Sequence, residues 1–252
     1  MSKHEITKSL NANHLKMTAI IAMTVDHLTW VLFPGYDVRW WVLCLHAVGR
    51  ITAPIMWFFI AEGAFYSHDQ KKYAGRLLFF AVISHFAYNF CFGIPMIPFA
   101  NGSIFNQTGV MWALFLGLIS IMLSEAPDEK IPRWLKRILF IGICILAFPA
   151  DWSCIAVFAI TFIAGNRGNF HRQMTAMVLC VCMYAVVYVV FINKAYGFLQ
   201  MAVVLSIPFL ARYNGERGKW KGMKWFFYLY YPLHLFLCGM IRIMFHGNIS
   251  IM

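Results

Sequence analysis

Lys16 and His27 stand eleven residues apart in one apolar run, LKMTAIIAMTVDHLTWVLF, and Asp26 precedes the histidine. On a helix, eleven residues is close to three turns, so ammonium and imidazole share a face, about 16 Å apart along the axis. An imidazole titrates near neutrality and can take a proton from an amine or hydroxyl nucleophile. Adjacent helical residues diverge by about 100°, so Asp26 has to find a partner other than the ring beside it. Other polar side chains stand in apolar runs: Arg50 and, twelve residues on, Glu62; His85 and Asn89; and His234 in YYPLHLF. Arg50 is the simplest partner for Asp26, because an unpaired guanidinium in lipid is costly. Glu62 or His234 then completes the surroundings of His27, and Glu62 is equally suited to pair with Lys72 or Arg76. A rise of about 1.5 Å per residue puts His27, Arg50, His85 and His234 near one depth. Nothing in the sequence calls for a metal: HExxH is absent, the histidines are scattered, and Cys180 and Cys182 point different ways on a helix. GxSxG, Walker and dinucleotide glycine patterns are absent as well.

The elements that must position these groups are membrane spans. The chain is 61% hydrophobic and only 12% charged, against about 25% charged residues in soluble domains. Apolar runs of spanning length recur at 15–33, 40–66, 77–93, 108–123, 138–149, 152–165, 174–192, 196–211 and 225–245. The reading is an all-α, polytopic membrane helical bundle of about nine transmembrane helices (range 8–11), one domain over residues 1–252. The fifth and sixth spans are short and suit a hairpin through Phe148–Asp151. No cleavable signal peptide is evident at the charged N-terminus. Most of the 21 Lys and Arg fall in alternate loops, around Lys3, Lys8 and Lys16; Lys71, Lys72 and Arg76; Lys130–Arg137; Arg167 and Arg172; and Arg212–Lys224. By the positive-inside rule this places a multi-pass protein in the cell membrane with a cytoplasmic N-terminus. The formal charge of +11 is then a cytoplasmic skirt facing membrane lipid, with no nucleic-acid partner expected. The same skirt would draw in a phosphate-bearing co-substrate.

LKMTAIIAMTVDHLTWVLFP and AVGRITAPIMWFFIAEGAFYSHDQKKYAGRLLFFAVISH, followed by GVMWALFLGLISI, ADWSCIAVFAI, LARYNGERG and YYPLHLF, resemble in order the TraX family. That family is named for the membrane protein that N-terminally acetylates F-type pilin. The resemblance implies a multi-spanning acyltransferase that uses acetyl-CoA from the cytoplasm as co-substrate. Acyltransferase-three proteins show a basic residue, ten intervening residues and a histidine in their first helix, and Lys16 to His27 is similar, with Lys in the Arg place. Lys is a weaker phosphate fork than Arg. Ser84-His85 departs from the Ser-Glu common in the family's third span.

The leading expectation is acyl transfer inside the membrane. CoA phosphates would dock near Lys16, Lys71, Lys72 and Arg76, with Glu62 at the same mouth, and the pantetheine arm would extend toward His27. His27 would act as general base, beside Asp26. Arg50 or His234 would stabilise the oxyanion or protonate the leaving thiolate. The acceptor is left open among a peptide amine, a sugar and an envelope polymer, and so is the oligomeric state. A proton-coupled transporter and a noncatalytic surface-assembly factor are the alternatives; no internal two-fold repeat favours the former. The enzyme reading requires a way from the cytoplasmic mouth down to His27.

Overall fold

A computed structural model describes residues 8–100 and 102–251. Lys3, with the rest of residues 1–7, lies outside the described residues. Among the described residues the chain forms α1 (Ala12–Leu32), α2 (Trp40–Gly49), α3 (Thr52–Tyr66), α4 (Gln70–Phe92), α5 (Val110–Glu125) and α6 (Arg133–Ala147). Then follow α7 (Ser153–Gly165), α8 (Phe170–Phe191), α9 (Lys194–Leu199), a 3₁₀ turn (Gln200–Ser206), α10 (Ile207–Ala211) and α11 (Met223–His246). Side-chain caps start several of these. Asn11 accepts from the His14 N–H at 3.1 Å, Asp69 from Lys72 at 2.9 Å, Asn169 from Arg172 at 3.1 Å and Asn193 from Tyr196 at 3.1 Å. Gly93, at φ 70°, closes α4 in the left-handed conformation.

Six segments are long and apolar enough to cross a membrane: α1, Trp40–Tyr66, α4, α8, Lys194–Ala211 and α11. The shorter apolar α5 and α7, together with α6, bring the bundle to the nine segments expected, among the described residues. Three boundaries differ from the hydropathy reading. The 40–66 run is kinked at Arg50–Ile51, where Pro54 has no N–H to give the Arg50 carbonyl. The 196–211 run tightens into the 3₁₀ turn before Pro208. The helix of the fifth run starts at Arg133 rather than 138, because Arg133 and Lys136 fold back onto Asp128 and the helix continues through its charges.

The loops richest in cations gather at one end. There Leu10 donates its N–H to the Arg212 carbonyl at 2.9 Å, Arg167 Nε donates to Glu62 at 2.9 Å, and Gln70 reaches Glu125 at 3.0 Å. At the opposite end Ile251 donates to the Phe92 carbonyl at 3.1 Å, and buried Arg242 donates to the carbonyls of Phe90, Gly247 and Ile249. α3 is buried on every side from Ala53 to Ala61 and forms the centre of the bundle. The outward faces of α4, α8 and α11 expose Phe79, Phe86, Leu179, Val190, Leu233 and Met244, an apolar surface suited to lipid.

The chain between α4 and α5 dips inward to meet the α6–α7 turn. Gln107 donates its N–H to the Pro149 carbonyl at 2.7 Å and Asp151 to the Thr108 carbonyl at 2.9 Å. Trp152 and Ser153, at φ 65° and 50°, take left-handed backbone there. As a result α5 and α7 both begin in the interior, at the depth of the Arg50 kink.

Candidate active site

Asp26 and His27 turn apart, as adjacent helical residues must, and each enters its own network. Asp26 faces α2. Its Oδ1 lies 2.7 Å from His46 Nδ1 and 3.6 Å from Arg50 Nη2. The close approach depends on Gly49: a Cβ built there would sit 2.3 Å from the Asp26 Cβ. His46 is fully buried between Trp30 and Tyr196, at ring-centroid distances of 4.7 and 5.5 Å, and its Nε2 has no partner. The Arg50 guanidinium lies 5.7 Å from the Trp152 ring and reaches Gln200 Oε1 at 3.5 Å, with Nε unpartnered. Asp151, from the α6–α7 turn, is within electrostatic reach of the same guanidinium. Two carboxylates thus face one buried cation.

His27 faces α11. Its Nδ1 lies 2.7 Å from His234 Nε2, and His234 Nδ1 lies 3.0 Å from the Tyr230 carbonyl. A carbonyl only accepts, so the proton on His234 sits at Nδ1 and leaves its Nε2 a lone pair in the neutral ring. His27 Nδ1 must then donate, which leaves His27 Nε2 as the basic nitrogen. The backbone of α11 fixes this tautomer through two rings, stacked 5.0 Å apart.

His27, Asp26, Arg50, Asp151, Asn106 and Gln200 line an inner cavity of about 30 Å³, walled by Trp30, Tyr88, Phe92, Tyr188 and Tyr196. It has room for roughly one or two waters. A second cavity, about 660 Å³, opens at the cation-rich end, within the size range of small-molecule sites. Lys16, Arg76, Arg217 and Lys224 stand around it, over a deeper apolar lining of Met56, Phe59, Leu77, Met111, Leu114 and Phe227. Among the described residues none of these four cations makes an ion pair. The excess of positive charge suits phosphate.

The structure brings Asp26, His27, Arg50 and His234 together, and sets Lys16 and Arg76 at the larger cavity. The other expected placements need correction. Glu62 lines the large cavity, but its carboxylate is held by Arg167 across the helix ends, not by Lys72 or Arg76 or near His27. Lys71 and Lys72 point outward, away from that lining, and Lys72 pairs with Asp69 at 3.3 Å. The backbone N–H and ammonium of Lys72 hold the Asp69 carboxyl below its ordinary range. His85, at matching depth, is a structural, hydrogen-bonded histidine whose partner is a loop: its Nε2 meets the Met96 carbonyl at 2.9 Å, and with Asn89 it pins the inward-dipping segment. The way from the mouth to His27 is not open either. The two cavities share no lining residue, and buried Met23 and Tyr231 occupy the helical turns between them.

Sequence reasoning missed His46, Asp151 and Gln200 in the interior and Arg217 and Lys224 at the mouth. His46 had a signal, since it sits four residues before Arg50 on one helix face. Asp151, an acid between two apolar runs, reads as an ordinary turn until the chain is folded.

A relative in Dichelobacter nodosus, a "probable fimbrial assembly protein FimC, serogroup H1", is 34% identical over 233 residues, covering 90% of this chain and 93% of its own. No solved structure matches. The family model described as "TraX protein" matches residues 11–242, and the chain belongs to that family.

Proposed function

We propose that this protein is an integral membrane acyltransferase that moves an acetyl group from cytoplasmic acetyl-CoA to an amine or hydroxyl acceptor, with His27 as general base. The observation that carries the reading is the tautomer relay Tyr230 carbonyl–His234–His27, which leaves Nε2 as the basic nitrogen of His27, a residue that lines the inner cavity. It lies on the helix face that carries Lys16 to a phosphate-suited cavity of about 660 Å³. In this reading the cation-rich end faces the cytoplasm, where acetyl-CoA is available, an orientation that the positive-inside rule supports.

In this reading Lys16, Arg76, Arg217 and Lys224 take the phosphates, and the apolar lining takes the extended arm. His27 Nε2 accepts the proton of the attacking amine or hydroxyl as the new N–C or O–C bond forms. Arg50, whose Nε is uncommitted, faces the developing oxyanion. The C–S bond then breaks and the proton on His27 passes to the departing sulfur. His234 has both nitrogens engaged, so it orients His27 rather than donating a proton itself. Passage of the arm requires the side chains of Met23 and Tyr231 to swing aside; methionine is well suited to that. The relative named for fimbrial assembly supports an acceptor on a surface filament or another envelope component.

The test is transfer of labelled acetyl from acetyl-CoA by purified protein, with filament-subunit peptides as acceptors. His27→Ala is expected to lose about 10²–10⁴-fold in turnover while the protein still folds and inserts. Near-normal transfer by His27→Ala, or failure of the wild type to bind acetyl-CoA, would overturn the reading. The latter result would favour a noncatalytic assembly role.

A further inference from the structure

On the outer face, between the first turns of α4 and α11, lies a groove of about 430 Å³ lined by Lys72, Gly75, Arg76, Phe79, Phe80 and Trp225. Its chemistry is graded along the helix axis. Lys72 stands in the first turn of α4 at the cation-rich end, and Phe79 and Phe80 lie two turns deeper, about 11 Å. Phe80 stacks on Tyr228 at 4.9 Å and 14°, which makes a firm floor, while Phe79 and Trp225 are exposed. Lys224 stands 5.0 Å from the Trp225 ring and adds a third cation at the rim. Gly75 opens the middle of the groove, with nothing within 4 Å of an added Cβ. Arg76 is held by Tyr228, yet its Nε is buried without a partner.

We infer that this groove is a binding site for one anionic phospholipid, its phosphate on Arg76 and Lys72 and an acyl chain along Phe79, Phe80 and Trp225. Charge complementarity selects an anionic headgroup, because Asp69 offsets only one of three cations. The aromatic floor selects a lipid over a free phosphate, which would leave it uncovered. The groove also lies on the face of two membrane-spanning helices, where lipid is the surrounding medium. Arg76 lines the 660 Å³ cavity as well, so the lipid and that cavity share a guanidinium.

The experiment uses the full chain in phosphatidylcholine nanodiscs doped with brominated phosphatidylglycerol or brominated phosphatidylcholine. The share of tryptophan quenching that belongs to Trp225 is taken as the difference from Trp225→Phe. Half-maximal quenching of Trp225 is expected at a mole fraction of the anionic lipid at least about fivefold lower, the factor contributed by one cation near the surface. Lys72→Gln should narrow that preference. Gly75→Leu, which fills the groove where space is open, should abolish it with the melting temperature unchanged. Equal quenching by both lipids, an undiminished preference in Gly75→Leu, or relief of quenching by water-soluble glycerophosphate would overturn the assignment.

Discussion

Replacing His234 by phenylalanine keeps a ring of similar size in α11 but removes the acceptor 2.7 Å from His27 Nδ1. The His27 ring then has two choices. It can keep its tautomer and leave a buried N–H unpaired, at a cost of about 1–3 kcal/mol. Or it can move the proton to Nε2, the atom proposed as base, and must reverse that shift before each turnover at a similar cost. In the first case the lost acceptor is missed most when the ring becomes imidazolium in the transition state, so in both cases the barrier rises, by about 1–3 kcal/mol or about 5- to 150-fold in kcat. His234 lines neither the large cavity nor any part of the cation-rich mouth, so KM for acetyl-CoA should stay within about twofold. Steady-state kinetics with labelled acetyl-CoA, alongside melting curves, measures both quantities. His234→Gln, which restores a carbonyl acceptor, should recover part of the loss. In His27→Ala the relay has nothing left to orient, so adding His234→Phe should cost no further activity. Wild-type kcat in His234→Phe, or fully additive losses in the double variant, would refute the relay.

Two further pairs of variants probe the groups beside it. Arg50→Met leaves Asp26 and Asp151 buried without a cation and should destabilise the fold by about 3–5 kcal/mol; adding Asp151→Asn should raise the melting temperature again, and no recovery would mean that Asp151 and Arg50 are not coupled. Adding a Cβ in Gly49→Ala would bring it to within 2.3 Å of the Asp26 Cβ, so it should part α1 from α2 and abolish turnover, whereas Gly142→Ala, inside α6 with open space around it, should leave activity unchanged and melting unchanged or slightly higher.

Much of the fold was legible because hydropathy and cation placement act over whole spans. The nine segments and their common basic end follow from those alone. Within the site, legibility tracked distance along the chain. Lys16 and His27 share a helix, and the Asp26–Arg50 pairing follows from the penalty on a lone buried guanidinium. His234 was legible as an imidazole at matching depth, though not as a ring with both nitrogens committed. Tautomers depend on which atom faces which, and that appears only when α1 and α11 pack. The partner of Glu62 was missed for a related reason: helical rise sets its depth at the mouth, but Arg167 comes from a loop 105 residues away. Lys71 and Lys72 were misplaced because a basic cluster at a helix start gives no sign of which side chain turns inward. Asp151 was hidden because its burial depends on the 93–109 segment dipping into the bundle.

That dip explains why the site lies where it does. In lipid every backbone polar group must be paired within the protein, so an interrupted helix is tolerated only where other chain segments cover the break. Among the described residues the chain is interrupted four times at one depth: at the Arg50 kink, at the start of α5, at the α6–α7 turn and at the 3₁₀ turn beginning at Gln200. Each break delivers a polar group to the inner cavity: Arg50, Asn106, Asp151 and Gln200. Left-handed backbone at Trp152 and Ser153 adds about 1–3 kcal/mol of strain each. From these breaks α3, α5 and α7 run to the cation-rich end with 15, 16 and 13 residues, so the breaks lie about 20–24 Å from it. The ten residues of α2 put them about 15 Å from the other end. Depth is therefore set by where the helices are cut, and His27 needs only the right position on the uncut α1. A bundle that served merely as a scaffold would be more stable with those cuts healed and the charges replaced by apolar side chains. Keeping both is consistent with chemistry carried out at that depth.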